Sequence, residues 1–203
     1  AAKEAIADSG IDISKVRTGF ISATTVGGMD KTETFMPAFI KSGELKNIEQ
    51  ILYHDSGAIT ELVAEQLGIK NIVSTISTAC SSSANSIMYA ARLIKSGELD
   101  IAIAGGTDAM SLFTLSGFNA LMILDENFCT PYDDNRKGLN LGEGAGYVIL
   151  VSERVAATLP EKPTVKLTGY ANANDAFHQT ASSPEGKGNF MAMEGALKMS
   201  GLS

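Results

Sequence analysis

In "AAKEAIADSG" the apolar positions Ala2, Ala5 and Ile6 recur at helical spacing, and Gly10 supplies a glycine C-cap, so the chain opens on a predicted helix. "RTGFISATTVGG" reads as a strand running into a glycine loop. Residues 30–55 have weaker periodicity and contain Pro37, which predicts helical pieces and loop. In "SGAITELVAEQLG" a capping serine precedes Ile59, Leu62, Val63 and Leu67 at helical spacing, with Gly68 as the stop. "IKNIVSTIS" is a short β-branched strand, "ANSIMYAARLIKSGE" the next helix, and "LDIAIAGG" a buried strand ending on paired glycines. A helical stretch near 110–123 leads into the polar loop "DENFCTPYDDNRKG", and "LNLGEGAGYVILVSE" is a glycine-rich entry to a strand. "TVKLTGYANAND" and the terminal helix "NFMAMEGALKMSG" follow. Strands and helices alternate, which predicts an α/β fold with a mostly parallel or mixed sheet covered by helices. There is no internal repeat and no low-complexity linker.

Composition supports one sizeable core: 203 residues, 44% hydrophobic and 19% charged. A net charge of −7 argues against a nucleic-acid backbone or an anionic membrane surface as main partner, while leaving room for local basic patches. No apolar run approaches the roughly 18 residues that a bilayer span needs. The two cysteines are far apart and outside any C-x-x-C spacing, so neither a disulfide framework nor a zinc site is expected, and a reducing, cytoplasmic setting fits best. The first residue is not Met and already lies in a predicted helix, which suggests a fragment.

Cys80 sits in "STISTACSSSANSIM", between a predicted strand and a predicted helix. A turn there places its side chain at a helix N-terminus, where unpaired N–H groups and the helix dipole favour an anion. Thiol pKa values in such settings fall from about 8.5 to roughly 3.5–7.5, which makes the sulfur a usable nucleophile. The small neighbours Ser77, Thr78, Ser81, Ser82 and Ser83 leave room for a substrate beside the sulfur. The competing reading is a small buried hydrophobe. Cys129, in an irregular loop, reads as an ordinary thiol.

"TACSSSANSIMYAARLIKSGELDIAIAGGTDAM" followed by "TPYDDNRKGLNLGEGAGYVILVSE" closely resembles the β-ketoacyl-[acyl carrier protein] synthases, the condensing enzymes of fatty acid and polyketide synthesis. The resemblance rests on Thr-Ala-Cys, the Ala-Gly-Gly-Thr strand end, the Tyr-Asp…Arg…Gly loop and Gly-Glu-Gly-Ala-Gly, in that order. It implies a thiolase-like fold with one incomplete domain over 1–203, in which about 1–160 is the N-terminal half and about 161–203 begins the C-terminal half. It also implies a homodimer, acyl carrier protein as partner, no metal, and no cofactor beyond the phosphopantetheine that the carrier brings. Thiolases and other condensing enzymes loaded from acyl-CoA share the fold and a comparable cysteine turn. Some polyketide partners of the synthases lack the cysteine and are catalytically silent, whereas this chain keeps it. A non-catalytic acyl-binding or dimerising partner is the remaining alternative.

By resemblance Cys80 takes the acyl group, and a malonyl thioester then loses carbon dioxide and attacks the acyl-cysteine. In the family two histidines, in a His-Gly-Thr and a Gly-His-Thr segment, support that chemistry. Neither segment occurs here: the only histidines are His54 and His178, in "LYHDSG" and "DAFHQT". "NANDAFHQTASSP" is implied to line the substrate entrance, with Thr180 donating to the pantetheine arm and His178 beside it. A Cys80–His178 dyad is the other possibility for His178, and a hydrogen-bonded structural histidine a third. Phe118 occupies the place of an aromatic that borders the acyl pocket, against which stands ordinary helix packing. Glu143, between glycines, is read as structural. Arg136 and Lys137 form either a solvated surface pair or a local patch that attracts acidic carrier protein.

Overall fold

The computed structural model describes residues 1–178 and 181–202. Four strands, β1 (Thr18–Ala23), β2 (Ile72–Ile76), β3 (Ile101–Asp108) and β4 (Gly144–Val151), form one sheet in the order β2-β1-β3-β4. β1 runs parallel to both β2 and β3, and β4 is antiparallel to β3. The helices are α1 (Ala2–Ser9), α2 (Met29–Ser42), α3 (Ser56–Gln66), α4 (Ser82–Lys95), α5 (Leu112–Ala120), α6 (Glu153–Ala156) and α7 (Lys187–Ser200), with short 3-10 turns at Ile13–Lys15 and Ile48–Tyr53.

β1 and β3 are central strands buried on both faces, which is why they read as continuous apolar runs. Alternate residues serve opposite faces. Ile21, Ala102 and Ala104 pack with Ala90 and Leu93 of α4, while Phe20 and Ile103 pack with Ala2 of α1 and Ala64 of α3. The Phe20 ring stacks on Tyr147 at 5.5 Å, and the Tyr147 hydroxyl is hydrogen-bonded to Ser22 at 2.7 Å. Burial raises the phenol's pKa above its usual value, against the opposing pull of that hydrogen bond.

α4 lies close on β3 because its inward face is small. A Cβ at Gly106 would stand 2.5 Å from Ser83 Oγ and 2.8 Å from the Ala23 carbonyl, so only glycine admits this approach. At the end of β3 opposite the carboxyl ends of the strands, Asp100, just before β3, accepts from Arg17 Nε (3.1 Å) and Arg17 Nη2 (3.0 Å) and from Arg154 on α6. The two guanidinium groups hold its carboxyl well below the ordinary carboxylate range.

Several boundaries differ from the sequence reading. Asp55, not Ser56, caps α3, accepting from the Gly57 N–H at 2.6 Å. α4 begins at Ser82 rather than Ala84, and α6 was not anticipated. Residues 165–176 form neither helix nor strand, yet positions 169–172 alternate as in a strand. A Cβ at Gly169 would lie 2.1 Å from the Ala196 carbonyl, and one at Gly195 would lie 2.8 Å from Ala171 Cβ, so positions 169 and 171 face α7. Tyr170 and Asn172 face α4: Arg92 lies 5.9 Å from the Tyr170 ring centroid, and Asn172 is hydrogen-bonded to Asn85.

Candidate active site

β2 ends at Ile76, whose carbonyl accepts from the Thr24 N–H at 3.1 Å, and the chain then turns sharply into α4. Ala79 takes the left-handed conformation at φ 53°, uncommon for a residue with a Cβ. Ser82 closes the turn: its Oγ accepts from the Thr78 N–H (2.8 Å) and donates to the Ala79 carbonyl (2.6 Å). Cys80 follows Ala79 immediately and precedes the Ser81 N-cap of α4. It is exposed, which overturns the reading of a small buried hydrophobe.

The hydroxyls flanking the cysteine are tied together. Thr78 Oγ1 and Ser81 Oγ lie 3.1 Å apart, and Ser81 Oγ lies 2.9 Å from the Thr78 carbonyl, to which it donates. Asn85, on the first turn of α4, donates from Nδ2 to Thr78 Oγ1 (2.7 Å) and Ser81 Oγ (3.2 Å), and its Oδ1 accepts from Asn172 Nδ2 (2.9 Å).

Beyond Asn172 comes the loop that carries His178. Asp175 organises it, accepting from the N–H groups of Phe177 (3.1 Å) and Ser183 (3.0 Å). Those backbone donors, Ser183 first, lower the Asp175 carboxyl pKa. Ala176 in the same loop is left-handed, at φ 52°. Thr180 lies outside the described residues.

Phe118 is half-buried on α5, whose first two N–H groups donate to the Glu33 carboxylate, both at 2.7 Å. Arg136 and Lys137 are exposed in the loop before β4, where Arg136 Nη1 donates to the Asp133 carbonyl at 2.8 Å. Cys129 is half-buried, its N–H donating to Asn140 Oδ1 at 2.7 Å. Glu143 Oε2 accepts from the Met110 N–H at 3.0 Å, tying the start of β4 to the turn after β3.

A strand order of 2-1-3 puts a crossover reversal beside β1, and open α/β sheets commonly form ligand crevices at the carboxyl ends of strands there. A cleft of about 330 Å³ lies at that edge, lined in part by Thr24, Gly27, Gly28, Tyr53, Thr60 and Thr107. Asp108 braces it, accepting from Thr24 Oγ1 (2.7 Å) and the Thr25 N–H (2.8 Å). Cys80 is not among the cleft's walls, although β2, which leads to the cysteine, ends at the same edge. Sequence reasoning missed Asn85, Asn172, Asp108 and Asp175. The signal it had was the local density of Asn, Asp, Ser and Thr in "TACSSSAN" and "NANDAFH".

The family described as Beta-ketoacyl synthase, N-terminal domain, matches residues 1–156. The chain belongs to the β-ketoacyl synthase family. Among its curated relatives, 3-oxoacyl-[acyl-carrier-protein] synthase 2 of Staphylococcus aureus is 31% identical over 100% of this chain and 53% of its own length. The protein of the same name from Vibrio cholerae serotype O1 is 30% identical over 98% of this chain and 51% of its own length. The chain thus spans about half the length of these relatives. Solved β-ketoacyl synthase relatives share the thiolase-like architecture. The ishigamide ketosynthase/chain length factor superposes with TM-score 0.89 at 26% identity, covering 100% of this chain and 51% of that one. A type II polyketide ketosynthase, in complex with its acyl carrier protein and bound to a hexaketide, superposes with TM-score 0.90 at 27% identity, covering 100% and 54%.

Proposed function

We propose that this chain is the acyl-accepting part of a 3-oxoacyl-[acyl carrier protein] synthase, acting in fatty acid or polyketide synthesis in a cytoplasmic setting. The observation that carries the reading is Cys80: an exposed thiol, on a strand-to-helix turn closed by a left-handed alanine, in a β-ketoacyl synthase domain.

Cys80 Sγ attacks the carbonyl of an acyl thioester presented on the phosphopantetheine arm of acyl carrier protein. The new S–C bond forms as the bond to the pantetheine sulfur breaks, and the carrier thiol leaves with the proton that the cysteine gave up. A malonyl thioester then loses carbon dioxide to give an enolate. Its carbon attacks the acyl-cysteine carbonyl, and the Cys80 thiolate leaves, releasing a 3-oxoacyl thioester. The second stage is assigned to the family's histidine segments, which these 203 residues do not contain. Phe118 borders the acyl chain, His178 and Thr180 belong to the entrance for the pantetheine arm, and Arg136 and Lys137 face the carrier protein.

Two copies pair through the free edge of β2, where Val73 is exposed. Relatives solved as ketosynthase and chain length factor complexes favour a second reading, a non-catalytic partner that binds acyl chains. Retention of Cys80 speaks against it. Mass spectrometry of the acyl-protein together with a carbon dioxide release assay tests the proposal. This chain takes an acyl group without decarboxylating a malonyl thioester, and a longer chain with both histidine segments does both. Decarboxylation by the short chain at a comparable rate overturns the division of labour, and acylation by neither overturns the reading.

A further inference from the structure

We propose that Asn85 is a positioning residue: its side-chain amide clasps the two hydroxyls that flank Cys80 to Asn172, fixing the cysteine turn against the segment that leads to His178. The proposal rests on the reading of Cys80 as the acyl acceptor.

Both ends of the Asn85 amide are used. Nδ2 serves Thr78 and Ser81, the residues two before and one after the cysteine, and Oδ1 receives Asn172. The two ends of the clasp are far apart in the chain. Asn85 lies within the matched N-terminal domain of residues 1–156, and Asn172 lies beyond it. A second contact supports the same docking. Arg92, seven residues on and so on the same face of α4, meets the ring of Tyr170, which shares a side of the 169–172 segment with Asn172. The opposite side of that segment rests on α7 through Gly169 and Ala171.

The segment is therefore held between two helices, and its one described hydrogen bond to the cysteine turn runs through Asn85. Cys80 is exposed, so access does not limit its chemistry; its orientation at the end of α4 does. Releasing Thr78 and Ser81 lets the turn sample other orientations, and the thiol reacts more slowly.

The test measures iodoacetamide alkylation of both cysteines in the same molecules, with Cys129 as the internal control for unfolding. Asn85→Ala is expected to slow Cys80 by ~10-fold, within the ~10²-fold that a misplacement of about 1 Å can cost, and to leave Cys129 unchanged. Asn172→Ala should slow Cys80 in the same direction. The double variant should be no slower than Asn85→Ala, because members of one network are not additive. Thr78→Val should reproduce the loss and Thr78→Ser should restore the rate, a rescue that a bulk packing role does not produce. An unchanged Cys80 rate in Asn172→Ala, or rate losses that multiply in the double variant, overturns the clasp. If Asn85→Ala speeds both cysteines as an unfolded chain does, the Asn172→Ala and Thr78 variants decide alone. A wild-type chain that alkylates but accepts no acyl group refutes the proposed function and leaves the clasp standing.

Discussion

Ser86 Oγ, fully buried on α4, lies 2.9 Å from the carbonyl oxygen of Gly105 in β3 and 2.8 Å from that of Ser83. One hydroxyl proton shared between these carbonyls anchors the first half of α4 to the central sheet, and the cysteine turn sits just ahead of that anchor. Ser86→Ala should cost about 1 kcal/mol, the net value of a typical hydrogen bond. Ser86→Leu should cost about 1–3 kcal/mol by overpacking. Urea unfolding measures both, and equal midpoints for wild type and Ser86→Leu would show that α4 is not seated as described.

Acid should weaken the ion-pair cluster at the start of β3. The Asp100 carboxyl is held down by Arg17 and Arg154, so its folded pKa lies below its unfolded one. Its stabilisation is therefore fully present above the unfolded value, about pH 4, and is lost as pH falls from there toward the lower folded value. Asp100→Asn should lower the urea midpoint at pH 7 and flatten its fall below pH 4. A parallel pH dependence in variant and wild type would assign the acid sensitivity elsewhere.

Much of this arrangement is legible in the sequence where the interactions are local or periodic. β1 and β3 show as apolar runs because both their faces are covered, and α4 shows by its spacing. The cysteine turn shows because small and hydroxylated residues crowd a strand-to-helix junction. The cap of α3 was misread by one residue, since adjacent Asp55 and Ser56 are both competent caps and only the backbone conformation separates them. Asn85 and Asn172 were invisible: they stand 87 residues apart, and each alone is an ordinary polar residue.

Edge pairing gives a prediction about assembly. β2 is an outer strand of the sheet, and Val73 on it is 37% exposed. Wild type should sediment as a dimer at micromolar concentration, and Val73→Lys, a charge placed on a pairing edge, should shift it toward monomer. A wild-type monomer under those conditions would remove β2 as an interface.

Cys80 should outpace Cys129 toward iodoacetamide, being exposed at a helix end where Cys129 is half-buried in a loop. Peptide mapping after partial alkylation of the folded protein gives the ratio. Equal labelling, or faster labelling of Cys129, would mean that the turn confers no special reactivity.

Acyl transfer to Cys80 is the central chemical claim, and intact mass followed by peptide mapping reads it directly after incubation with an acylated carrier protein. The predicted result is one acyl adduct, on the peptide that contains Cys80, absent from Cys80→Ala and discharged by hydroxylamine as a thioester. An adduct that persists in Cys80→Ala, or one carried on Cys129, would contradict it.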